Sequence, residues 1–209
     1  VELLSGQFFD VRFEGTHRAD RQTRVALHAS PLELVASGWV DPGTVPAAGS
    51  YDLTLAGTLQ PESLIGIKAS PVQISGRVRP DSLQVRLTTP HLPGEMGAEF
   101  GELALDLELW DNCFLDAHLA LERELLLLHM RIDLVKGQVD TLISSLAPFA
   151  LDRLVPGLQS SVHGQMRAAG ALDAKDLRLA SKFEIPGAAY GDWRTGPVTL
   201  QLDYRDWLA

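Results

Sequence analysis

The chain has almost no cysteine, no long apolar run and no excess of positive charge, and each absence removes a class of protein. Cys113 is the single cysteine in 209 residues, so no intrachain disulfide forms and the fold rests on non-covalent packing. Lys and Arg total 18 against 27 Asp and Glu, a formal net charge of −9. A nucleic-acid partner calls for a basic stripe, and the sequence has none. No apolar run reaches the roughly 18–20 residues that a membrane-spanning helix needs. The densest, Leu125 to Leu128, is bounded by Glu124 and His129. Catalytic signatures are missing too. There is no Gly-x-Ser-x-Gly elbow, phosphate-cradling loop or dinucleotide fingerprint. The six histidines (17, 28, 91, 118, 129 and 163) are scattered with no metal-ligand spacing, and His118, His129 and His163 fall on the polar faces of strand-like stretches and read as exposed strand residues. Asp106 and Glu108, two residues apart between leucines, read as a solvated strand face rather than an acid–base pair. The expectation is a non-enzymatic protein with no metal and no cofactor.

What is present is alternation. Hydrophobic residues make up 45% of the chain, enough for a folded core. They recur at every second position, which is the signature of strands with one apolar face. Leu53 and Leu55 alternate with Asp52 and Thr54; Val72 and Ile74 with Gln73 and Ser75; Val85 and Leu87 with Gln84 and Arg86. Leu103, Leu105, Leu107 and Leu109 form the clearest series. Leu119, then Met130 and Ile132, then Leu179 and Phe183, then Leu200 and Leu202 extend the pattern to the end of the chain.

A short phrase also returns at a fixed interval. Ser37-Gly38-Trp39-Val40-Asp41-Pro42, Ala56-Gly57-Thr58-Leu59-Gln60-Pro61 and Ser75-Gly76-Arg77-Val78-Arg79-Pro80 each read small, Gly, any, aliphatic, any, Pro. The glycines are spaced 57 − 38 = 19 and 76 − 57 = 19. Ala169-Gly170-Ala171-Leu172-Asp173-Ala174 is a weaker copy. A fixed period of this length points to a stacked, quasi-one-dimensional architecture that works through an extended surface. Each glycine falls on the apolar face of its strand, so Gly38, Gly57, Gly76 and Gly170 are read as sites where the sheet bends, stacked at equivalent levels.

One segment departs from period two. From Asp140 to Val155, Leu142, Ile143, Leu146, Phe149 and Leu154 recur at helical spacing, with Pro156-Gly157 beyond them. A short amphipathic helix, or two short turns, over 140–155, packed on the sheet, is the expectation. Residues 43–50 and 91–101 read as loops. The domain reading is one elongated β-domain over 1–209. The chain opens inside strand-like sequence without an initiator Met, and is read as a piece of a longer protein whose membrane anchor lies outside it.

The phrase Gly-x-aliphatic-x-Pro-acid-Ser-Leu, completed by Pro61-Glu62-Ser63-Leu64 and Pro80-Asp81-Ser82-Leu83, resembles the repeats of the TamB and AsmA-like proteins of diderm bacterial envelopes. So do Leu154-Val155-Pro156-Gly157-Leu158, Val162-His163-Gly164-Gln165-Met166 and Gly170 to Leu179, although Lys175 stands where Pro is common. Gly196 to Asp206 is similar to the group's strand–turn pattern. The resemblance implies an all-β, curved, antiparallel or mixed sheet folded into a U-shaped β-taco trough with a greasy interior. It implies a periplasmic, bridge-like lipid carrier between the inner and outer membranes, with phospholipid acyl chains in the groove and an outer-membrane barrel of the BamA or TamA type as partner. The groove lining would then be the apolar series named above, from Leu53 to Leu202. Two other readings stay open on the residues alone: a scaffold or chaperone for outer-membrane β-barrel assembly or secretion, and a closed β-sandwich in which the same face is core.

Overall fold

The computed structural model describes residues 2–8, 11–29, 32–41, 50–60, 71–93, 99–111, 113–171 and 176–205. Copies of the repeat that run into 42–49, 61–70 or 172–175, and the reading of residues 43–50 as a loop, lie largely outside them. The chain is all-β, and its strands pair antiparallel throughout the registers that follow. No α-helix occurs among the described residues. The strands form two compact units.

Unit 1 comprises Val1–Pro90 with Asp106–Asn112. Its strands are β1 (Glu2–Phe8), β2 (Val11–His17), β3 (Gln22–Ala29), β4 (Leu32–Asp41), β5 (Ser50–Leu59), β6 (Val72–Val78) and β7 (Ser82–Thr89). Each pairs antiparallel with the next, so the unit is a simple meander. Tight turns set the register. Between β2 and β3, Arg21 adopts φ 67° and donates its N–H to the Arg18 carbonyl at 2.9 Å. Between β6 and β7, the amides of Arg79 and Ser82 exchange hydrogen bonds with each other's carbonyls, at 2.8 and 3.3 Å.

Unit 2 comprises His91–Leu105 and Cys113–Ala209. It contains the small hairpin β8 (Leu92–Pro93) and β9 (Glu99–Phe100). Strand β10 (Leu103–Trp110) is divided between the units. There follow β11 (Phe114–Leu121), β12 (Leu126–Asp133), β13 (Gln138–Ala150), β14 (Ser161–Ala171) and β15 (Arg178–Ile185). A second small hairpin, β16 (Ala188–Tyr190) with β17 (Trp193–Thr195), precedes β18 (Val198–Arg205). In hydrogen-bonded order the main sheet reads β1 to β7, then β10 to β15, then β18, fourteen strands with two ends. No pairing among the described residues joins β1 to β18, so the sheet is not closed into a barrel.

The helix expected over 140–155 is absent. Most of that stretch lies in β13, the longest strand, and a single 3-10 turn follows at Leu151–Arg153. The reason is irregular register. Leu142, Ser144 and Leu146 pair with Ala168, Met166 and Gly164 on one face, as period two requires. The register then shifts between Leu146 and Phe149, so Phe149 returns to that face after three residues instead of two. One serine in an apolar position and one bulge turn a strand pattern into apparent helical spacing. Pro148 sits in the irregular stretch, where a missing N–H costs no ladder bond. The amide of Ala147 there bonds to the Leu125 carbonyl at 2.9 Å.

Candidate functional site

Directly opposed residues of an antiparallel pair share a face, so the registers of unit 1 can be read as rows. Thr23, Gly38, Leu53, Val78 and Leu83 form one row across β3 to β7. The next holds Val25, Ala36, Leu55, Gly76 and Val85, and the third Leu27, Leu34, Gly57, Ile74 and Leu87. Ala29, Leu32, Leu59 and Val72 complete the set. Val40 and Tyr51 pair beyond the first row, and Thr89 ends β7 on the same side, so apart from Thr23, Tyr51 and Thr89, all near strand ends, the face is apolar or glycine. Leu53, Leu55, Val72, Ile74, Val85 and Leu87, expected as groove lining, all lie on it.

The other face is polar and cross-linked by charge. Asp52 accepts hydrogen bonds from Arg77 at 2.6 and 2.5 Å, with Arg79 at 3.4 Å. The hydrogen bond from Arg77 holds the Asp52 carboxyl below its ordinary range, against a small opposing effect of burial. Gln84 donates to Glu108 at 2.7 Å, and Arg86 lies 3.6 Å from Asp106. These contacts put Asp106 and Glu108 on the charged side of β10, so by alternation Leu107 and Leu109 belong to the apolar side. Asp106 and Glu108 thus form ion-pair and amide contacts, in keeping with a solvated strand face.

No strand or turn among the described residues of unit 1 covers the apolar face. Among its described residues only Gly15 and Thr89 are fully buried, and the leucines, valines and isoleucine of β4 to β7 are all half-buried. A sheet face of this size normally packs against a second layer.

The bend glycines have a shared physical basis. A Cβ added at Gly38 would lie 2.1 Å from the Asp52 carbonyl oxygen; at Gly57, 2.2 Å from that of Glu33; at Gly76, 2.2 Å from that of Gln84. In each case the neighbouring strand occupies the space where a side chain would stand. Gly38 also has φ 157°, and Gly170 has φ 130° with the Asp176 carbonyl 2.1 Å from its Cβ position. The expectation of a common level is not met, since Gly38, Gly57 and Gly76 occupy three different rows. Antiparallel strands run in alternate directions, so a phrase near the end of each strand falls on opposite ends of the sheet in turn. Gly164 was missed as a bend site. Its Cβ position lies 2.4 Å from the Lys182 carbonyl. It stands within Val162-His163-Gly164-Gln165-Met166, where an apolar-face glycine inside a strand was the available signal.

In unit 2 one face again gathers the expected residues. Met130, Leu142, Ala168, Leu179 and Tyr204 form a row. Gly164, Phe183 and Leu200 form another, and Ser181 opposes Leu202. Leu119 opposes Leu128, and Ile132 lies between Leu115 and Val139. Leu103 and Leu105 are half-buried. Burial is uneven across the unit. Ile132, Ala117, Val139 and Phe149 are buried, so Ile132 is core rather than lining. Leu200 and Leu202 are more than half exposed, at 57% and 56%.

Phe149 has a visible lid. The ring of Phe100 stacks on it at 5.9 Å, and the Arg153 guanidinium lies over both rings, at 5.2 and 5.5 Å. Arg153 is held by Glu122 through two bonds of 2.7 and 2.6 Å, and Glu122 also accepts the Gly101 amide at 2.6 Å. The Arg153 hydrogen bond, opposed by burial and helped by that amide, keeps the Glu122 carboxyl below its ordinary range.

The histidines are not all isolated. His118 and His129 are directly opposed across β11 and β12, and they converge on Asp116. The tight turn at 122–125 creates this register, so counting back from it would have paired them. No family model matches the chain, and neither the curated proteins nor the solved structures contain one detectably similar to it.

Proposed function

We propose that the apolar face of unit 1 binds the acyl chains of lipids, and that the chain is a non-enzymatic segment of a lipid-carrying envelope protein. One observation supports this most: the face spans β3 to β7 with no charged side chain and only Thr23, Tyr51 and Thr89 polar, each near a strand end, and no layer among the described residues of the unit covers it. An acyl chain would replace water there. Each methylene transferred contributes about 0.8 kcal/mol, and the effect is non-directional, so many lipids would be accepted. The rows offer nearly equivalent positions, which favours movement along the face over tight capture. The resemblance to TamB and AsmA-like proteins fits this reading, with a periplasmic location, a membrane anchor elsewhere in the parent protein and an outer-membrane barrel of the BamA or TamA type as partner.

The test is extraction of the purified protein followed by lipid mass spectrometry, for wild type and for Leu55→Asp. Leu55 sits at the centre of the face, between Ala36 and Gly76. Wild type should carry phospholipid. The variant should fold, because an open face lets the carboxylate reach water, and should lose its lipid because the charge opposes the acyl chain. A variant that unfolds would point to a covered core. A folded variant that retains its lipid would exclude this face as the binding surface.

A further inference from the structure

On the polar face of unit 2, three potential metal donors meet. His118 of β11 and His129 of β12 are opposite each other in register, with their rings stacked at 4.1 Å and only 12° from parallel. The Nε2 atoms of both rings turn toward one oxygen, Oδ1 of Asp116, at 3.4 Å for His118 and 2.7 Å for His129. The three donor atoms all lie within 4.8 Å of one another. The second oxygen of Asp116 is engaged by Arg131, whose Nη2 and Nε donate at 2.7 and 3.2 Å. Arg131 is the residue opposite Asp116 on β12, and Thr141 and Ile143 of β13 lie opposite Arg131 and His129.

A hydrogen bond from His129 to Asp116 accounts for one ring only. The other nitrogen, at 3.4 Å, is too far for a good hydrogen bond yet aims at the same point. In this arrangement Nε2 of His129 carries the proton that it donates to Asp116; loss of that proton and rotation of the two stacked rings about their Cβ–Cγ bonds would turn three donors toward one point. A bound transition ion holds imidazole nitrogen and carboxylate oxygen at about 2.0–2.2 Å, which puts neighbouring donors roughly 3.3 Å apart. The Asp116 oxygen lies 3.4 and 2.7 Å from the two nitrogens, on either side of that spacing, so modest side-chain movement would suffice. Arg131 acts as the outer partner that fixes the carboxylate, leaving Oδ1 for the centre.

We propose that Asp116, His118 and His129 bind one divalent transition-metal ion. Imidazole donors select the zinc, nickel, copper and cobalt class over magnesium and calcium. The His118 side chain is 58% exposed, so the remaining coordination positions open to water. The ion would clamp β11 to β12 on the charged face, away from the apolar one. The nearby Arg131 charge opposes the ion and weakens its binding.

Calorimetric titration of the 209-residue chain with zinc chloride, and cobalt absorption spectroscopy, test this. One ion should bind per chain, magnesium chloride should give no signal, and the cobalt spectrum should report nitrogen donors. His118→Gln and His129→Gln should each weaken zinc binding at least about tenfold, and His163→Gln should not. Asp116 is buried, so Asp116→Asn also probes folding; the exposed His118 ring decides the matter, with thermal melting confirming that its variant is folded. Absence of saturable zinc and nickel binding below millimolar concentration would overturn the proposal. So would binding that persists unchanged in either histidine variant.

Discussion

Unit 1 and the β11–β14 region of unit 2 are built from the same kind of strand, yet only one of them has a conventional core. Ala117, Ile132, Val139 and Phe149, the four buried apolar residues of the described chain, all belong to unit 2, together with buried Asp116 and Asp133. Unit 1 has seven strands in unbroken antiparallel register and no buried leucine or valine among its described residues. The difference lies in what stands over the sheet. In unit 2 the Phe100 ring and the Arg153–Glu122 pair cover Phe149, and a strand with two register shifts brings side chains inward. In unit 1 regular pairing leaves a continuous run of half-buried apolar side chains. A regular amphipathic sheet therefore makes a surface, and irregularity plus a lid makes a core.

The contrast is tested first by truncation. Phe149→Ala should cost about 3–5 kcal/mol, because a covered aromatic leaves a cavity. Leu55→Ala, at a half-exposed position, should cost only about 1 kcal/mol. Chemical denaturation of the two variants measures both, and equal losses would break the distinction. Gly57→Val comes next. Its Cβ position lies 2.2 Å from a backbone carbonyl, so the substitution should cost on the order of 3 kcal/mol. A neutral result would remove the bending role.

The Glu122–Arg153 pair supplies a smaller, pH-dependent effect. Glu122 is held below its ordinary value of 4.5, chiefly by Arg153. Its contribution to stability is thus complete above about pH 4.5 and is lost as the pH falls through the lowered folded value. Denaturation of wild type and Glu122→Gln should differ by about 1–2 kcal/mol at neutral pH. The two should converge in acid; a difference independent of pH would contradict the assignment. The smallest effect is expected at Asp52→Asn. Its ion pair with Arg77 is exposed, so stability should hardly change and any change should vanish in salt.

Where strands are regular, the sequence alone was enough. The alternations at Tyr51 to Leu59 and Val72 to Val78 correctly assigned each residue to its face, since period two survives any tight turn between strands. The all-β class follows from the same pattern. The failures have local causes. Ser144 and the bulge before Phe149 imitated a helix, because a bulge restores the apolar face one residue late. The level of the glycines depended on strand direction, which a linear repeat does not encode. The grouping of Asp116, His118 and His129 depended on one turn, and residue spacing is blind to the register that a turn sets. Burial was the least legible property: Ile132 and Leu202 look alike in sequence, and only the covering elements separate them.

The most direct test of the open apolar face is site-specific photo-crosslinking. A benzoylphenylalanine is placed at Leu55 or Ile74, on the apolar face, and at Thr54 or Gln73, one residue away on the polar face. After irradiation with phospholipid vesicles, lipid adducts should form at 55 and 74 and not at 54 and 73. Adducts of equal yield at all four positions, or none at 55 and 74 in a folded protein, would contradict the account.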